Sequence, residues 1–352
     1  MSRIICHKIS NAGVYSVAAQ PKLLEKLSAA DKFERIKNMK KALILTLSIL
    51  VLFGNIFAEQ TTNPDPDAAK FVTSDINLFW AAYDKAKPEN DLIVYRDEYL
   101  KKGSLGLQEF TRLRIGSPCG LVNSINASPK YYAALREPSL KIATYEKQMR
   151  AGLYKLKEIY PEAVFPDVYF VIGRMNSGGT LSDKGLLIGV DMYGKNENVS
   201  TEGLNDWQKA VTSPTDRLPF IVAHELVHYQ QKNAAGDTLL ARALGEGVAD
   251  FIADLTAGGH INPHLHKYGN PIEKELWLEF KKEMSGTDLG NWLYEGEKAV
   301  KRPADLGYYM GYKIAESYYK NAPDKKQAVK AILEIKDYPK FLADSRYEEK
   351  FN

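Results

Sequence analysis

Cysteine is almost absent from this chain. Its 352 residues hold two, Cys6 and Cys119, which excludes the multi-disulfide framework of small secreted domains. Histidine is scarce too, with six residues. There is no low-complexity tract, no internal repeat and no run of like charge, which excludes a solenoid, a disordered interaction tail and a basic nucleic-acid arm. The formal charge is only +3. Nine of the 47 Lys/Arg and three of the 44 Asp/Glu fall in the first 58 residues, so the remainder carries 38 basic and 41 acidic side chains. No nucleic-acid partner is expected from that balance.

The one long apolar run is Ala42 to Phe53, preceded by Lys40-Lys41 and followed by Gly54-Asn-Ile-Phe-Ala58. A basic start, a short apolar core and a small residue at its end read as a secretory signal peptide over 39–58, too short for a comfortable membrane span. Met39 is the natural start of that signal, which makes residues 1–38 an upstream misannotation. The expectation is an exported protein, in the periplasm or cell envelope or outside the cell, with no span left after cleavage. Cys119 would then be the only cysteine, a packed thiol in the turn Ile115-Gly-Ser-Pro-Cys-Gly120. The 294 residues that remain suffice for one large domain or two small ones.

The stretch Leu218-Pro-Phe-Ile-Val-Ala-His-Glu-Leu-Val-His-Tyr-Gln-Gln-Lys232 carries the sharpest signal. His224 and His228 are four apart, so on a helix they leave the same face one turn apart and reach one ion. Glu225 between them is placed to hold a water, the His-Glu-x-x-His signature of zinc metallopeptidases. Ser213, Pro214 and Thr215 are start signals, and Lys232 suits the last turn. A catalytic zinc takes three protein ligands and leaves one position open. Glu246, eighteen residues on in a predicted helix over 239–255, is the candidate third ligand. Asp250, on the same face, is the candidate partner for a ligand histidine's second ring nitrogen. Gly245 and Gly247 flank Glu246 and suggest close helix packing, as do Gly307 and Gly311.

Elsewhere, residues 71–160 read as mainly helical, with caps at Thr73 to Asp75 and a long helix over 139–160. Val168–Ile172 and Leu186–Val190 are strand signals. Asn176 to Gly185 between them is turn-forming. The second strand is the candidate edge for an extended peptide. Residues 273–284 and 305–320 are helical. Tyr308 and Tyr312 share a face of the latter and are candidate oxyanion donors. His260, His264 and His266 fall in Gly- and Pro-punctuated loop sequence, where one of them is a further candidate donor.

The chain resembles the gluzincin group of metallopeptidases, in which the third ligand is a glutamate on the following helix. More closely it resembles a bacterial family of predicted zinc-dependent proteases. The matching segments are Phe71-Val-Thr-Ser-Asp-Ile-Asn-Leu-Phe-Trp80, Pro166-Asp-Val-Tyr-Phe-Val-Ile-Gly173, Gly178-Gly-Thr180, the 218–232 helix, Gly245-Glu-Gly-Val-Ala-Asp-Phe251 and Asp305-Leu-Gly-Tyr-Tyr-Met-Gly-Tyr312. The resemblance runs from about Phe71 to about Tyr319. It implies His224, His228 and Glu246 as Zn²⁺ ligands, Glu225 as the catalytic carboxylate, and a peptide or protein substrate. The expected fold is α+β, mostly helical: a zincin-like catalytic domain over 71–352 with a small sheet beside the metal helix, after a linker at 59–70. The rival reading is a catalytically silent envelope binding or scaffold protein that retains the zinc site.

Overall fold

The computed structural model describes residues 63–351, apart from residues 198 and 300. These residues lie in the second of two units into which the chain divides, 62–352. The expected signal at 39–58 and the stretch before it lie outside the described residues.

Two runs rich in branched and aromatic side chains form the buried centre of a four-stranded sheet. They are β2 (Val168–Val171) and β4 (Gly185–Gly189), parallel neighbours with every residue buried. Such two-sided burial is what a continuous apolar run requires. β1 (Phe71–Val72) adds in parallel beside β2, and β3 (Gly179–Ser182) pairs antiparallel with β4, giving the order β1-β2-β4-β3. This corrects two expectations. The segment expected as a turn between the strands itself contains a strand, its glycines and serine having masked a hairpin closed at Asp183-Lys184. The strand at 186–190, expected to offer its edge to a peptide, has both sides paired. The edge strands are β1 and β3, and β3 is the one beside α9.

The N-terminal part is helical, as expected, but in short pieces. These are α1 (Ser74–Lys85), α2 (Asp91–Val94), α3 (Leu105–Phe110), α4 (Pro118–Ala127), α5 (Pro129–Ala134), α6 (Arg136–Leu140) and α7 (Glu146–Ile159). π-helical turns, Tyr95–Leu100 and Thr111–Ile115, extend α2 and α3. The single helix expected over 139–160 is broken at Lys141, where Ser139 Oγ takes the Trp80 Nε1 proton at 2.9 Å and a 3₁₀ turn follows. Residues 63–70 pack on the domain: Asn63 O accepts from Phe165 N at 2.7 Å, and Ala69 is buried. Cys119, expected in a turn, lies half-buried in the first turn of α4.

The remaining helices are α8 (Asp206–Val211), α9 (Leu218–Gln230), α10 (Leu239–Ala257), α11 (Pro263–Gly269), α12 (Glu273–Glu283), α13 (Leu306–Asn321), α14 (Lys325–Leu333) and α15 (Tyr338–Ser345). No helix among the described residues is long and apolar enough to cross a membrane. α9 is buried around most of its circumference. It starts three residues later than the sequence signals, because Thr215–Arg217 form a 3₁₀ turn, and it ends before Lys232. α10 is capped by Thr238, whose hydroxyl accepts from Ala241 N at 3.2 Å, and ends on left-handed Gly258.

α10 and α13 cross in backbone contact. A Cβ at Gly247 would overlap Tyr312 N and Gly311, and one at Gly311 would overlap Ala243 O. Gly245 and Gly307 differ from expectation. Gly245 faces open space, and Gly307 packs under Trp292 and Leu293 rather than against a helix. Gly247→Ala is therefore expected to lower stability by about 1–3 kcal/mol, as overpacking does. Gly245→Ala should raise it by up to about 1 kcal/mol, because alanine is the better helix former. Urea denaturation of the two variants checks this; equal effects would contradict the crossing.

Candidate metal centre

α9 and α10 run side by side and bring three donors to one point. His224 Nε2 and His228 Nε2 are 3.0 Å apart, and Glu246 Oε2 lies 3.1 Å from the second and 3.6 Å from the first. Among the described residues these three alone form a group able to hold a metal ion. A tetrahedral site with bonds of ~2.0–2.1 Å places its donors ~3.3 Å apart. The observed separations straddle that value.

The chemistry of the donors tests the fit independently. His224 Nδ1 donates to Asp250 Oδ1 at 2.9 Å, and His228 Nδ1 donates to Gln231 Oε1 at 2.9 Å. With the proton on Nδ1, each neutral ring presents a lone pair at Nε2. Two lone pairs and a carboxylate oxygen facing one another within 3.6 Å repel unless a positive charge lies among them. A retained proton or a divalent cation supplies that charge, and two imidazole nitrogens with one carboxylate oxygen are a donor set that fits zinc. Burial opposes charge on His224, yet Asp250 and Glu246 outweigh it and carry its pKa up to about 10. Burial likewise pushes Glu246 up, but the two imidazoles hold it well below the usual carboxylate range.

A further shell fixes these groups. Asp250, fully buried, takes the Asn262 Nδ2 proton at 2.7 Å on its other oxygen. Gln231 is held in turn through its Nε2, which donates to Gly245 O at 2.7 Å. Tyr294 donates from its hydroxyl to Glu246 Oε1 at 2.7 Å, leaving Oε2 for the imidazoles. Tyr294 is itself held in the left-handed region (φ 61°), with its N–H on Asp305 Oδ1 at 2.6 Å. The sequence carried a signal for Gln231, three residues past His228 on the same face. It carried none for Asn262 or Tyr294, which arrive from distant loops.

Glu225 is buried on the β3 side of α9, where a Cβ at Gly179 would collide with its carboxylate. Burial pushes its pKa up, with His224 and His228 pulling the other way. The two tyrosines part company. Tyr308 lies beside the centre, its ring stacked on His224 with centroids 6.1 Å apart. Tyr312 is not brought to the site: it is buried against Phe251, with its hydroxyl on Asp254 Oδ2 at 2.6 Å. One helical turn separates them, but α13 turns the second toward α10. Of the three clustered histidines, His264 lines the cleft; His264 and His266 sit on α11 rather than in a loop. His266 packs on Tyr312. The cleft over the centre measures about 1000 Å³ and also exposes Arg114, Thr180, Leu181 and Trp207.

Comparison with known families gives two matches. Residues 125–270 match the family described as gliding motility protein GldB, and residues 207–336 match the family described as predicted Zn-dependent protease. Neither span covers half the chain, but both contain α9 and α10. The likeness to predicted zinc-dependent proteases seen in the sequence thus holds over 207–336, and the fold is the mostly helical α+β arrangement expected. No curated protein and no solved structure matches the chain.

Asp250→Ala, which removes the acceptor of His224, is expected to weaken zinc binding about 10- to 100-fold. Tyr294→Phe should weaken it up to about tenfold. Competition against a chromophoric chelator measures both, and wild-type affinity in both variants would contradict the supporting roles of Asp250 and Tyr294.

Proposed function

We propose that this chain is an exported zinc metallopeptidase that hydrolyses peptide bonds, with Glu225 as general base. The observation that carries the reading is the convergence of His224 Nε2, His228 Nε2 and Glu246 Oε2 beside the buried Glu225 carboxylate. In this reading, residues 39–58 are the signal peptide and 71–352 the catalytic domain. The match to a lipoprotein-type family over 125–270 favours a place in the cell envelope.

His224, His228 and Glu246 would hold the ion. When bound, zinc supplies a Lewis acid that acidifies water and polarises a carbonyl. The chain's own groups do the rest. Asp250 and Gln231 keep both imidazoles in the tautomer that bears a lone pair at Nε2. Glu225, raised by burial, takes a proton at its carboxylate and passes it to the leaving amine. The hydroxyl of Tyr308, beside His224, is the proposed oxyanion donor; that of Tyr294 is engaged on Glu246. Loss of one such donor typically costs about 100- to 1,000-fold in rate. The free edge of β3 would receive an extended peptide through its backbone N–H and C=O groups, alongside Glu225.

A silent scaffold that keeps zinc for stability has no use for a buried carboxylate beside the donors. Glu225→Gln is expected to keep one zinc per chain and lose at least about 1,000-fold in cleavage of a broad peptide library. His228→Ala should lose the metal. Zinc-loaded wild-type protein that cleaves no peptide would favour the scaffold; a Glu225→Gln variant as fast as wild type would overturn the mechanism.

A further inference from the structure

Arg114 is a cation in the cleft that is not one of the metal-centre groups, although its charge bears on Glu225, whose pKa burial pushes up and Arg114 pulls down. It lies in the last turn of the π-helical segment Thr111–Ile115, and π turns are frequent at functional sites. It is anchored at both ends. Its carbonyl accepts from Arg174 Nε at 3.1 Å and from Asn176 Nδ2 at 2.9 Å. Its guanidinium donates to Thr180 Oγ1 at 2.6 Å. Thr180 is buried in β3 and follows Gly179, whose backbone lies against the Glu225 carboxylate. The guanidinium and the Glu225 carboxylate thus bear on successive residues of β3, Thr180 and Gly179, and line one cleft.

The neighbouring arginines have carboxylate partners or other fixed contacts. Arg112 pairs with Glu109 at 2.7 Å, and Arg242, also in the cleft, pairs with Asp237 at 2.9 Å. Arg217 lines the cleft too, but it donates to His260 O at 2.6 Å and lies over the Phe220 ring. Among the described residues, no carboxylate approaches the Arg114 guanidinium within 4.0 Å. A guanidinium offers five N–H donors in a fork that matches a carboxylate, and the contact to Thr180 occupies one side of it.

We propose that Arg114 is a specificity residue that binds a carboxylate of the substrate peptide lying along β3, beside the scissile bond. The inference rests on the peptidase reading. The carboxylate has two sources, an Asp or Glu side chain or the peptide's own C-terminus. A residue directed toward Thr180 from a strand laid on that edge meets the guanidinium, and so does a chain end that stops there.

Fluorescence anisotropy on the Glu225→Gln protein tests this without turnover. Labelled peptides are scanned with Glu or Gln at each position, each made with an amidated and with a free C-terminus. One carboxylate-bearing member is expected to bind about tenfold more tightly than its neutral twin, the low end for a hydrogen-bonded charge pair. If amidated Glu peptides keep the advantage, the source is a side chain; if only free termini show it, the source is the chain end. Arg114→Gln should abolish the advantage, Arg114→Lys should retain part of it, and Arg114→Glu should shift it to Lys-bearing peptides. Equal binding of acidic and neutral peptides, or a preference that survives Arg114→Gln, would overturn the proposal. Absence of cleavage by the wild type would strike the peptidase reading and leave this binding comparison standing.

Discussion

Three electron-rich atoms held within 3.6 Å of one another are the constraint on which the rest of this structure turns. With both imidazoles deprotonated and no ion, two lone pairs and a carboxylate would push apart, and the carboxylate would favour water over a buried pocket. The fold holds them together by fixing each from behind. Asp250, braced by Asn262, sets His224; Gln231, braced by the α10 backbone, sets His228; Tyr294 sets the far oxygen of Glu246. The contact of Gly247 with Gly311 lets α13 come close to α10, and that same helix stacks Tyr308 on His224. A positive ion at the centre turns a set of mutual repulsions into attractions.

The substrate side has a different origin. Glu225 points away from α10 toward the hairpin of β3 and β4, and the polypeptide that reaches this side comes from the N-terminal half. Arg114 at the end of a π turn and Thr180 in β3 are joined by one hydrogen bond. The cleft is thus framed by two parts of the chain with separate tasks. The C-terminal helices hold donors, while the N-terminal helices and the hairpin shape what lies against them.

The metal helices were legible in the sequence because they obey local rules. His224 and His228 need only the i,i+4 spacing of one helix, and Glu246 and Asp250 repeat it on the next. The buried strands β2 and β4 announced themselves as branched, aromatic runs. What was hidden depends on pairing across long separations. Nothing in Gly178-Gly-Thr-Leu-Ser182 says strand until β4 is beside it, so the free edge was placed one strand too far in. Tyr312 shares a helical face with Tyr308, but the crossing of α13 over α10 directs its hydroxyl to Asp254. Tyr294 reaches Glu246 from 48 residues away, out of a loop held in an unusual backbone state. Beside the break at Lys141 lies a tertiary bond, Trp80 to Ser139, that no local pattern contains.

X-ray absorption at the zinc edge of the zinc-loaded chain tests the central claim most directly. The account predicts one tightly held ion with two imidazole nitrogens and oxygen donors at ~2.0–2.1 Å, about four in all and no sulfur. A shell of oxygen alone, or one with a single imidazole, would show that His224, His228 and Glu246 do not share an ion.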